Sequence, residues 1–546
     1  MHSVLVANRG EIAVRVIRGV QEMGMRAIAV YSELDRDALH VQRADEAWHI
    51  GAAPAAESYL NIDAILGVAA EANADAIHPG YGFLAENAEF AQRVTEAGLI
   101  WVGPGPEAIA SMGDKIASRA VSEAAGVAGV PGTTETLSDI ETVREVAAEY
   151  GYPLAIKASH GGGGKGLRVV RSEAELDEAF EAARREADAY FANPDVYIEK
   201  YLERSHHIEA QIIFDTHGNG VFLGERDCSM QRRHQKLIEE SPAPTMNDKQ
   251  RKALGKAALS IAKAADYVNA GTVEFLLDQD GEIFFLEMNT RLQVEHTVTE
   301  MVTGIDLVRE QLRVAMGEPL SFSNVEPRGH AIEFRINAED PGTGFLPSPG
   351  QIIDYREPGG FGVRVDSGYG AGTGVSQYYD NLISKLVVWG RDRTEALTRA
   401  GRAIAEYEIT GVATTLPFHA LAVDSEAFIA GTHHTRSVED EMDLSSITHP
   451  SAPQVPEDEE LEERQMTVEV GGRRFVVKLW APEAPAPTGG PSRATPRRRP
   501  PKLTRSPQTA SDEGVVTAPC RARSSRSTTR PATESRPEHQ CSSSRR

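Results

Sequence analysis

Two glutamates interrupt apolar β-strand patterns in the middle of the chain. Glu274 lies in residues 271–277 (Gly-Thr-Val-Glu-Phe-Leu-Leu), and Glu287 lies in residues 283–289 (Ile-Phe-Phe-Leu-Glu-Met-Asn). The pattern predicts paired strands that place the two acids close together. Carboxylates in apolar surroundings need a cation, and hard oxygen ligands suit Mg²⁺. A lone buried glutamate is more often a structural acid, but two on adjacent strands, with Asn289, favour a metal site.

A glycine-rich segment earlier in the chain is suited to binding phosphate. Residues 157–170 are Lys-Ala-Ser-His-Gly-Gly-Gly-Gly-Lys-Gly-Leu-Arg-Val-Val, with alternating strand patterns at both ends. Glycine N–H groups can close over a phosphate, and Lys157 and Lys165 add positive charge. A Walker P-loop is excluded because Gly166 follows the lysine and a strand follows where that motif needs a helix. A hairpin tip without function stays the alternative.

A run of charged residues lies between these two motifs. Residues 225–236 are Glu-Arg-Asp-Cys-Ser-Met-Gln-Arg-Arg-His-Gln-Lys. We expect this segment to be too polar for a protein core, and its cations suit a polyphosphate or another anionic substrate. A salt-bridged surface loop is the second interpretation.

Composition narrows the possible classes of protein. The 546 residues are 41% hydrophobic, which predicts a globular protein of several domains. No apolar run reaches the ~18 residues of a membrane span, so we expect a cytoplasmic protein with no membrane partner. The net charge is −23; residues 484–546 carry 13 Lys and Arg against 4 Asp and Glu, which leaves −32 for residues 1–483. So acidic a surface repels nucleic acid, and we expect no nucleic-acid partner.

Hydrophobic periodicity predicts the elements that position these motifs. Residues 3–31 show a strand, a helix and a second strand, which indicates a parallel sheet. Further strands at residues 74–78 and 99–103 predict a doubly wound domain over residues 1–112. The GxGxxG fingerprint is missing, so dinucleotide binding is not expected there.

The next segments predict a mixed sheet. Residues 114–126 form a helical pattern with Lys115 near its start, and a second helix is expected near residues 172–189. Residues 196–202 and 206–214 are strand patterns, and the second alternates as a half-buried strand does. Without further context, Lys115 would be a solvated surface charge.

Four motifs, in order, resemble those of a known family: HGGGGKGLRVV, ERDCSMQRRHQK, EMNTRLQVEH and HAIEFRINAED, after NRGEIA and HPGYGFLAEN. Over about residues 1–445 the chain is similar to biotin carboxylase, an ATP-grasp enzyme and the first component of acyl-CoA carboxylases. The resemblance implies an α/β and α+β multidomain fold: a doubly wound N-terminal domain over residues 1–112, an ATP-grasp domain over 113–329 and a β-rich C-terminal domain over 330–445. One departure is Thr297, where the family usually has proline, and we expect it to alter loop stiffness more than chemistry.

The resemblance also implies the substrates and the residues that bind them. It implies that ATP, Mg²⁺ (or Mn²⁺) and bicarbonate are used to carboxylate N1′ of biotin on a carrier, with Glu274, Glu287 and Asn289 holding the metal. Phosphate-binding residues would be Lys115, Lys157, Gly162, Gly163, Gly164, Lys165 and Gly166, with Lys236 beside the transferred phosphate. Residues facing the adenine would be Glu199, Lys200 and Leu202, and those near the rest of the nucleotide His207, Gln231 and His234.

The same resemblance implies that residues 291–295 and the distant Arg335 carry out the chemical steps. Arg291, Gln293 and the Val294 backbone N–H would hold bicarbonate, whose charge and planarity suit a guanidinium fork. Glu295 would deprotonate bicarbonate for attack on the γ-phosphate, giving carboxyphosphate. Arg335 would stabilise the biotin enolate.

The chain beyond residue 445 changes in composition. We expect an acidic linker and a hairpin over residues 446–483, then a disordered basic tail over residues 484–546 without a biotinyl motif. A frameshifted reading of a GC-rich gene and a basic docking tail both stay open for this tail. The only lysine after Lys478 is Lys502, so we expect a biotin carboxyl carrier protein in trans. We also expect a homodimeric assembly and a separate carboxyltransferase subunit.

Two other classes of function share part of the pattern. One is another ATP-grasp ligase, such as a carbamoyl-phosphate synthase-like or purine-pathway carboxylase enzyme, and RLQVEH together with EFRIN argues against it. The other is a non-catalytic ATP-binding regulatory subunit. Bicarbonate-dependent ATP hydrolysis that free biotin stimulates would separate these classes.

Overall fold

The N-terminal residues form a parallel sheet flanked by helices. Its elements are β1 (Ser3–Val6), α1 (Gly10–Glu22), β2 (Arg26–Ser32), α2 (Leu39–Arg43), β3 (Glu46–Gly51), α3 (Ile62–Glu71), β4 (Ala76–His78), α4 (Ala88–Glu96), β5 (Ile100–Trp101) and α5 (Pro106–Gly113). The strand order is β3-β2-β1-β4-β5 with parallel pairing. This order is doubly wound, as predicted. Successive residues of β1 point to opposite faces, so Val4 packs with α1 and Leu5 packs with α3 and α4.

The computed structural model describes residues 1–133, 135–137, 139–159, 167–191, 193–447, 461–470 and 473–482. It divides the chain into two units, Met1–Val455 and Pro456–Arg546. The glycine-rich residues 160–166 and the basic tail of residues 484–546 lie outside the described part of the chain.

A small antiparallel sheet follows the N-terminal region. Its elements and their helices are α6 (Lys115–Ala124), α7 (Ile140–Tyr150), β6 (Leu154–Ala158), β7 (Leu167–Val170), α8 (Glu173–Phe191) and β8 (Val196–Lys200). The strand order is β7-β6-β8, and β6 pairs with β7 from Leu154 opposite Val170 to Lys157 opposite Leu167. The two strands predicted on either side of the glycine loop are therefore confirmed. Phe180 of α8 packs with Ile156 and Ile198 in the core beneath this sheet.

The central strands belong to a larger sheet. The elements of this region are β9 (His206–Phe214), β10 (Gly220–Arg232), β11 (Gln235–Ser241), α9 (Asp248–Ala264), β12 (Asn269–Leu277), β13 (Ile283–Asn289), α10 (His296–Thr303) and α11 (Leu307–Ala315). Strands β12 and β13 pair antiparallel with Glu274 directly opposite Glu287, which confirms the paired strands predicted around these acids.

The large sheet continues into the C-terminal region. That region contains β14 (His330–Asn337), β15 (Glu339–Asp340), β16 (Leu346–Pro347), β17 (Gly350–Gln351), β18 (Tyr355–Arg356), β19 (Val363–Ser367), β20 (Gly374–Val375), β21 (Leu382–Gly390), α12 (Arg393–Glu406), β22 (Glu408–Ile409), α13 (Leu416–Val423), α14 (Glu426–Ala430) and α15 (Ser437–Asp440). The strand order is β13-β12-β9-β10-β11-β14-β21-β19. Strand β11 pairs with β14, with Glu239 opposite Glu333, so one sheet extends from the metal-site strands into the C-terminal region.

Most of the charged segment at residues 225–236 is buried, and only its turn at Arg233 and His234 is exposed. It forms most of β10 and the start of β11, and Glu225, Arg226 and Asp227 are buried. The prediction that this segment is too polar for the interior is wrong, and so is the surface-loop alternative. Burial of these three residues is tolerated because each lies beside a group of opposite charge: for example, Arg251 Nε lies 2.6 Å from Glu225 Oε1.

Strand β9 is buried on both faces, not half-buried as its alternation predicted. Its apolar residues Ile208, Ala210 and Ile212 belong to the core beside α9. The alternate residues His207 and Glu209 are polar and also buried, because that face lines the polar interior described below.

The second unit contains a hairpin of β23 (Leu461–Val470) and β24 (Arg473–Pro482). The hairpin predicted within residues 446–483 is therefore present. Of the helices in the described ranges, none is long and apolar enough to cross a membrane.

Candidate active site

The predicted metal residues lie together at the β12–β13 edge of the large sheet. Glu274 and Glu287 are opposite each other in the pairing, and Asn289 Nδ2 donates to Glu274 Oε1 at 2.7 Å. Burial raises the pKa of the Glu287 carboxyl, and the negative charge of Glu274 raises it further. Two facing carboxylates, one of which raises the proton affinity of the other, fit a divalent cation of the Mg²⁺ type.

Glu274 also accepts hydrogen bonds from several side chains. Its Oε1 accepts from Gln293 Nε2 at 2.7 Å, and its Oε2 accepts from His207 Nε2 at 2.7 Å. Burial opposes the charged form of Glu274, but Lys236 and His207 outweigh it and lower the pKa of this carboxyl. Burial likewise opposes charge on His207, and the Glu274 carboxylate outweighs it, so the pKa of His207 is raised.

Lys236 forms ion pairs with three buried acids. Its Nζ lies 2.7 Å from Glu295 Oε1 and 3.1 Å from Glu274 Oε1, and it also donates to Glu209. Burial lowers the pKa of this amine, but the three carboxylates outweigh burial and raise the pKa well above its usual value. The ligand atoms of His207, Glu209 and Glu274 lie within 4.8 Å of one another. The Lys236 ammonium already supplies positive charge to that group, so the facing Glu274–Glu287 pair is the better place for a metal ion.

Glu295 is held between two cations. It precedes α10, and its Oε2 accepts from Arg335 Nη2 at 2.9 Å while Lys236 binds the other oxygen. Burial raises the pKa of Glu295, but Lys236 and Arg335 outweigh burial and hold the pKa well below its usual range. Glu295 is therefore an ionised carboxylate. Arg335 is fixed in turn by Glu239, whose Oε1 accepts from Arg335 Nε at 2.5 Å.

The residues predicted to hold bicarbonate follow β13 and lead into Glu295. Arg291 Nε donates to Glu86 Oε2 at 2.9 Å, and Arg291 Nη2 donates to Asn289 Oδ1 at 2.9 Å. Gln293 donates to Glu274, as described above, and Val294 comes next in the chain. The structure therefore brings all three predicted residues to the turn between the metal acids and Glu295.

Two predicted phosphate-binding lysines lie at the small sheet and at α6. Lys157, at the end of β6, donates to Glu199 of β8. Lys115 opens α6, and burial lowers the pKa of its ammonium, although the Glu287 charge acts in the opposite direction. Gly162, Gly163, Gly164, Lys165 and Gly166 lie outside the described residues, in the interval between β6 and β7.

The residues predicted to face the adenine differ in what their side chains contact. Glu199 is engaged by Lys157, and Leu202 is half-buried just beyond β8. The Lys200 ammonium donates to the backbone carbonyls of residues 150–152 at 3.1, 3.3 and 3.3 Å. The Lys200 side chain thus ties β8 to the end of α7.

The other predicted nucleotide residues surround His207. Gln231 Nε2 lies 3.4 Å from His207 Nδ1 and donates to the Cys228 carbonyl at 3.1 Å. His234 lies in the turn between β10 and β11 with a positive φ of 68°. Burial lowers the pKa of His234, and the positive charge of nearby Lys157 lowers it further.

Two fully buried residues that organise the site, Arg226 and Glu209, were not predicted from the sequence. Arg226 Nη2 donates to Glu209 Oε2 at 3.0 Å and to Gln293 Oε1 at 2.6 Å. Glu209 therefore connects Arg226 with Lys236. Arg226 in turn connects Glu209 with Gln293, in the turn of residues 291–294 that is predicted to hold bicarbonate. The available signal was the polar face of β9, where His207, Glu209 and Gln211 alternate with apolar residues. Three alternate polar residues on so apolar a strand are as consistent with an internal polar site as with a face that meets solvent.

Comparison with known protein families identifies three consecutive regions. Residues 1–109 match the family described as biotin carboxylase, N-terminal domain, and residues 333–440 match the biotin carboxylase C-terminal domain. Residues 114–323 match the family described as carbamoyl-phosphate synthase L chain, ATP binding domain. The flanking matches favour biotin carboxylase over the carbamoyl-phosphate synthase alternative.

Individual relatives agree with these matches. The chain is 50% identical over 506 residues to the biotin-dependent acyl-coenzyme A carboxylase alpha3 subunit of Mycobacterium leprae, covering 91% of this chain and 84% of that protein. It is 51% identical over 439 residues to biotin carboxylase 1 of Bacillus subtilis, covering 80% of this chain and 98% of that protein.

A solved structure shares the fold. It is the biotin carboxylase domain dimer of the Hydrogenobacter thermophilus 2-oxoglutarate carboxylase, in complex with MgADP, ADP and bicarbonate. It aligns with a TM-score of 0.80 at 46% identity, covering 82% of this chain and 99% of that one. The resemblance stated from the sequence motifs is confirmed: the chain belongs to the biotin carboxylase family of ATP-dependent, ATP-grasp ligases.

Proposed function

We propose that Glu295 is the general base in this chain's biotin carboxylase reaction, in which ATP and bicarbonate give carboxyphosphate and N1′ of biotin is then carboxylated. The observation that carries the proposal is the position of the Glu295 carboxylate between the cations of Lys236 and Arg335. A proton acceptor so placed, next to the turn of residues 291–294, is what deprotonation of bicarbonate requires.

The first step transfers one proton and one phosphoryl group. Glu295 accepts the proton of bicarbonate, and the resulting oxyanion attacks the γ-phosphorus of ATP as the bond to ADP breaks. Lys236 offsets the charge on the transferred phosphate. Bound bicarbonate and phosphate compete for Lys236 and Arg335, and this competition raises the proton affinity of Glu295 when substrate is present.

Bicarbonate is positioned by Arg291, Gln293 and the Val294 N–H in this proposal. The guanidinium of Arg291 pairs with Glu86 in the structure. A bicarbonate bound beside it would share the hydrogen-bond donors of this guanidinium with Glu86. Arg335, fixed by Glu239, then stabilises the enolate oxygen of biotin in the second step.

The nucleotide residues complete the proposed site. Glu274 and Glu287, with Asn289, would hold Mg²⁺, which when bound neutralises charge on the ATP phosphates. The proposed phosphate contacts are Lys115, Lys157, Gly162, Gly163, Gly164, Lys165 and Gly166. The proposed contacts to the rest of ATP are Glu199, Lys200, Leu202, His207, Gln231 and His234.

An ADP-release assay tests this function directly. ATP hydrolysis by the purified chain is expected to require bicarbonate and to accelerate when free biotin is added, with carboxybiotin as the product. ATP hydrolysis that is indifferent to bicarbonate, or that depends on ammonia or glutamine, would instead support another ATP-grasp ligase. Nucleotide binding without any turnover would support the regulatory alternative.

We infer that the biotin carrier is supplied by another chain and that a carboxyltransferase subunit consumes the product. Two relatives are named as subunits of larger enzymes, the alpha3 subunit from Mycobacterium leprae and one subunit of the pyruvate carboxylase of Methanothermobacter thermautotrophicus. In the same assay, a biotinylated carrier domain added in trans is expected to be carboxylated at lower concentration than free biotin.

We also infer a homodimer, because the related solved structure is described as a domain dimer and this chain carries an apolar side chain suited to a contact. Phe361 is 77% exposed and packs edge-on against Trp389 with ring centroids 5.9 Å apart. Light scattering is expected to give twice the 59.2 kDa of one chain. Phe361→Ser is expected to increase the monomer fraction, and a wild-type monomer at micromolar concentration would contradict the inference.

A further inference from the structure

A buried lysine that the proposed reaction does not use supports the bicarbonate turn. Lys385 of β21 is fully buried, and its Nζ donates to the Val294 carbonyl at 2.9 Å and lies 3.1 Å from Glu11 Oε2. We propose that Lys385 is a positioning residue that fixes the turn of residues 293–295 for bicarbonate. This inference rests on the proposed role of that turn.

The surroundings of Lys385 keep its amine charged inside the protein. Burial lowers its pKa, but the carboxylates of Glu11 and Glu333 outweigh burial, so the pKa is raised. The ammonium also lies 5.7 Å from the centre of the Tyr81 ring. A buried ammonium is costly unless it is paired, and an apolar residue of similar size is often as stabilising as a buried ion pair. A requirement of fold stability alone therefore does not explain a charge at this position.

The contact with Val294 has a direct geometric consequence. The Val294 carbonyl and the Glu295 N–H belong to one planar peptide unit, so holding the carbonyl oxygen fixes the orientation of that plane. The preceding carbonyl, that of Gln293, accepts from His296 Nδ1 at 2.7 Å. With both carbonyls engaged, the Val294 N–H and the start of the Glu295 side chain keep fixed directions. A hydrogen-bond donor to bicarbonate and the proposed base are therefore positioned together.

The arrangement also connects distant parts of the chain. Glu11 lies in the first turn of α1, Val294 follows β13, and Lys385 lies on β21. Glu11 has no hydrogen-bond partner among the described side chains other than the Lys385 ion pair, and its pKa is raised to about 7 by burial, against the opposing effect of Lys385. Glu11 thus holds Lys385 in place, and Lys385 holds the turn.

The test is a kinetic comparison of bicarbonate with ATP. Lys385→Met keeps the length of the side chain and removes the donor. Because hydrogen bonds from charged groups are worth about tenfold or more in an equilibrium, the KM for bicarbonate is expected to rise by about tenfold or more. The KM for MgATP is expected to stay unchanged, because the nucleotide residues do not contact Lys385.

A double variant separates positioning from stability. In Lys385→Met the Glu11 carboxyl loses its partner, and the Tm is expected to fall. In Lys385→Met combined with Glu11→Gln the unpaired acid is gone, so the Tm is expected to recover while the KM for bicarbonate stays high. Recovery of both quantities in the double variant would overturn the proposal, since the kinetic defect would then follow stability alone.

A matched control removes a cation from another fully buried glutamate. Arg251→Met leaves Glu225 without its ion pair and is expected to lower the Tm with no change in either KM. A wild-type KM for bicarbonate in Lys385→Met, or an equal rise in both KM values, would also overturn the positioning role. Failure of the proposed function itself has a different signature, namely no bicarbonate-dependent ADP release by the wild-type chain.

Discussion

Glu295→Gln is expected to lower bicarbonate-dependent turnover by about 10²–10⁴-fold, the range over which a positioned general base contributes. Glutamine keeps the shape of the side chain, but its single carbonyl oxygen can accept from only one of Lys236 and Arg335, which bind different oxygens of Glu295. It cannot take the proton of bicarbonate, so the loss falls on kcat. Steady-state ADP release at saturating bicarbonate measures the effect, and MgADP affinity by calorimetry is expected to stay near the wild-type value.

The control for Glu295→Gln is the same substitution at a buried glutamate outside the site. Glu225 is fully buried and paired with Arg251, so Glu225→Gln reproduces the loss of a buried charge. It is expected to lower the Tm and to keep turnover. Near-normal turnover in Glu295→Gln would remove Glu295 from the mechanism.

Arg226→Met is expected to destabilise the fold by up to about 3–5 kcal/mol, the cost of breaking a buried ion pair by removing one partner, although Lys236 stays paired with Glu209. The guanidinium is fully buried, and its hydrogen-bond acceptors are Glu209, Gln211, Thr272, Gln293 and Thr299. Turnover is also expected to fall, because Gln293 of the bicarbonate turn loses its anchor. Differential scanning calorimetry and the turnover assay measure the two effects.

Arg226→Lys is the companion variant for that experiment. Lysine restores the positive charge beside Glu209 but cannot reproduce the planar fork that reaches Glu209 and Gln293 together. Stability is therefore expected to lie between those of the wild type and Arg226→Met, with turnover still reduced. A Tm for Arg226→Met equal to that of the wild type would show that Lys236 alone compensates the charge of Glu209.

The pattern of apolar residues was enough to predict the two strands that carry Glu274 and Glu287, the predicted metal ligands. The apolar runs around Glu274 and Glu287 have a short turn between them, so pairing and proximity follow from local sequence. The same holds for the strands that flank the glycine loop. In each case the two strands are close in the chain. The sequence pattern therefore predicts both that the segments are strands and that they pair with each other.

Burial of the charged strands was not predictable in the same way. A polar face on β9, or the charged run of β10, shows the same pattern whether it meets solvent or an internal set of counter-charges. The deciding partners are remote in sequence: Arg226 and Gln293 are 67 residues apart, and Lys385 and Val294 are 91 apart. Single-sequence patterns carry no information on such pairings, so the ion network became visible only with the fold.

The pairing of β11 with β14 limits how this protein can be recombined with its relatives. Lys236, the proposed phosphate contact, is the second residue of β11, and Arg335, the proposed biotin contact, lies on β14, so their spacing is set by backbone hydrogen bonds within one ladder. A chimera joined near residue 329 would have to form that ladder between strands from different parents. Because Glu239 and Glu333 face each other there and Glu239 holds Arg335, both parents must supply compatible acids at these positions. The proposed residues for phosphoryl transfer and for biotin carboxylation therefore have to be exchanged together, although the chain matches separate domain families.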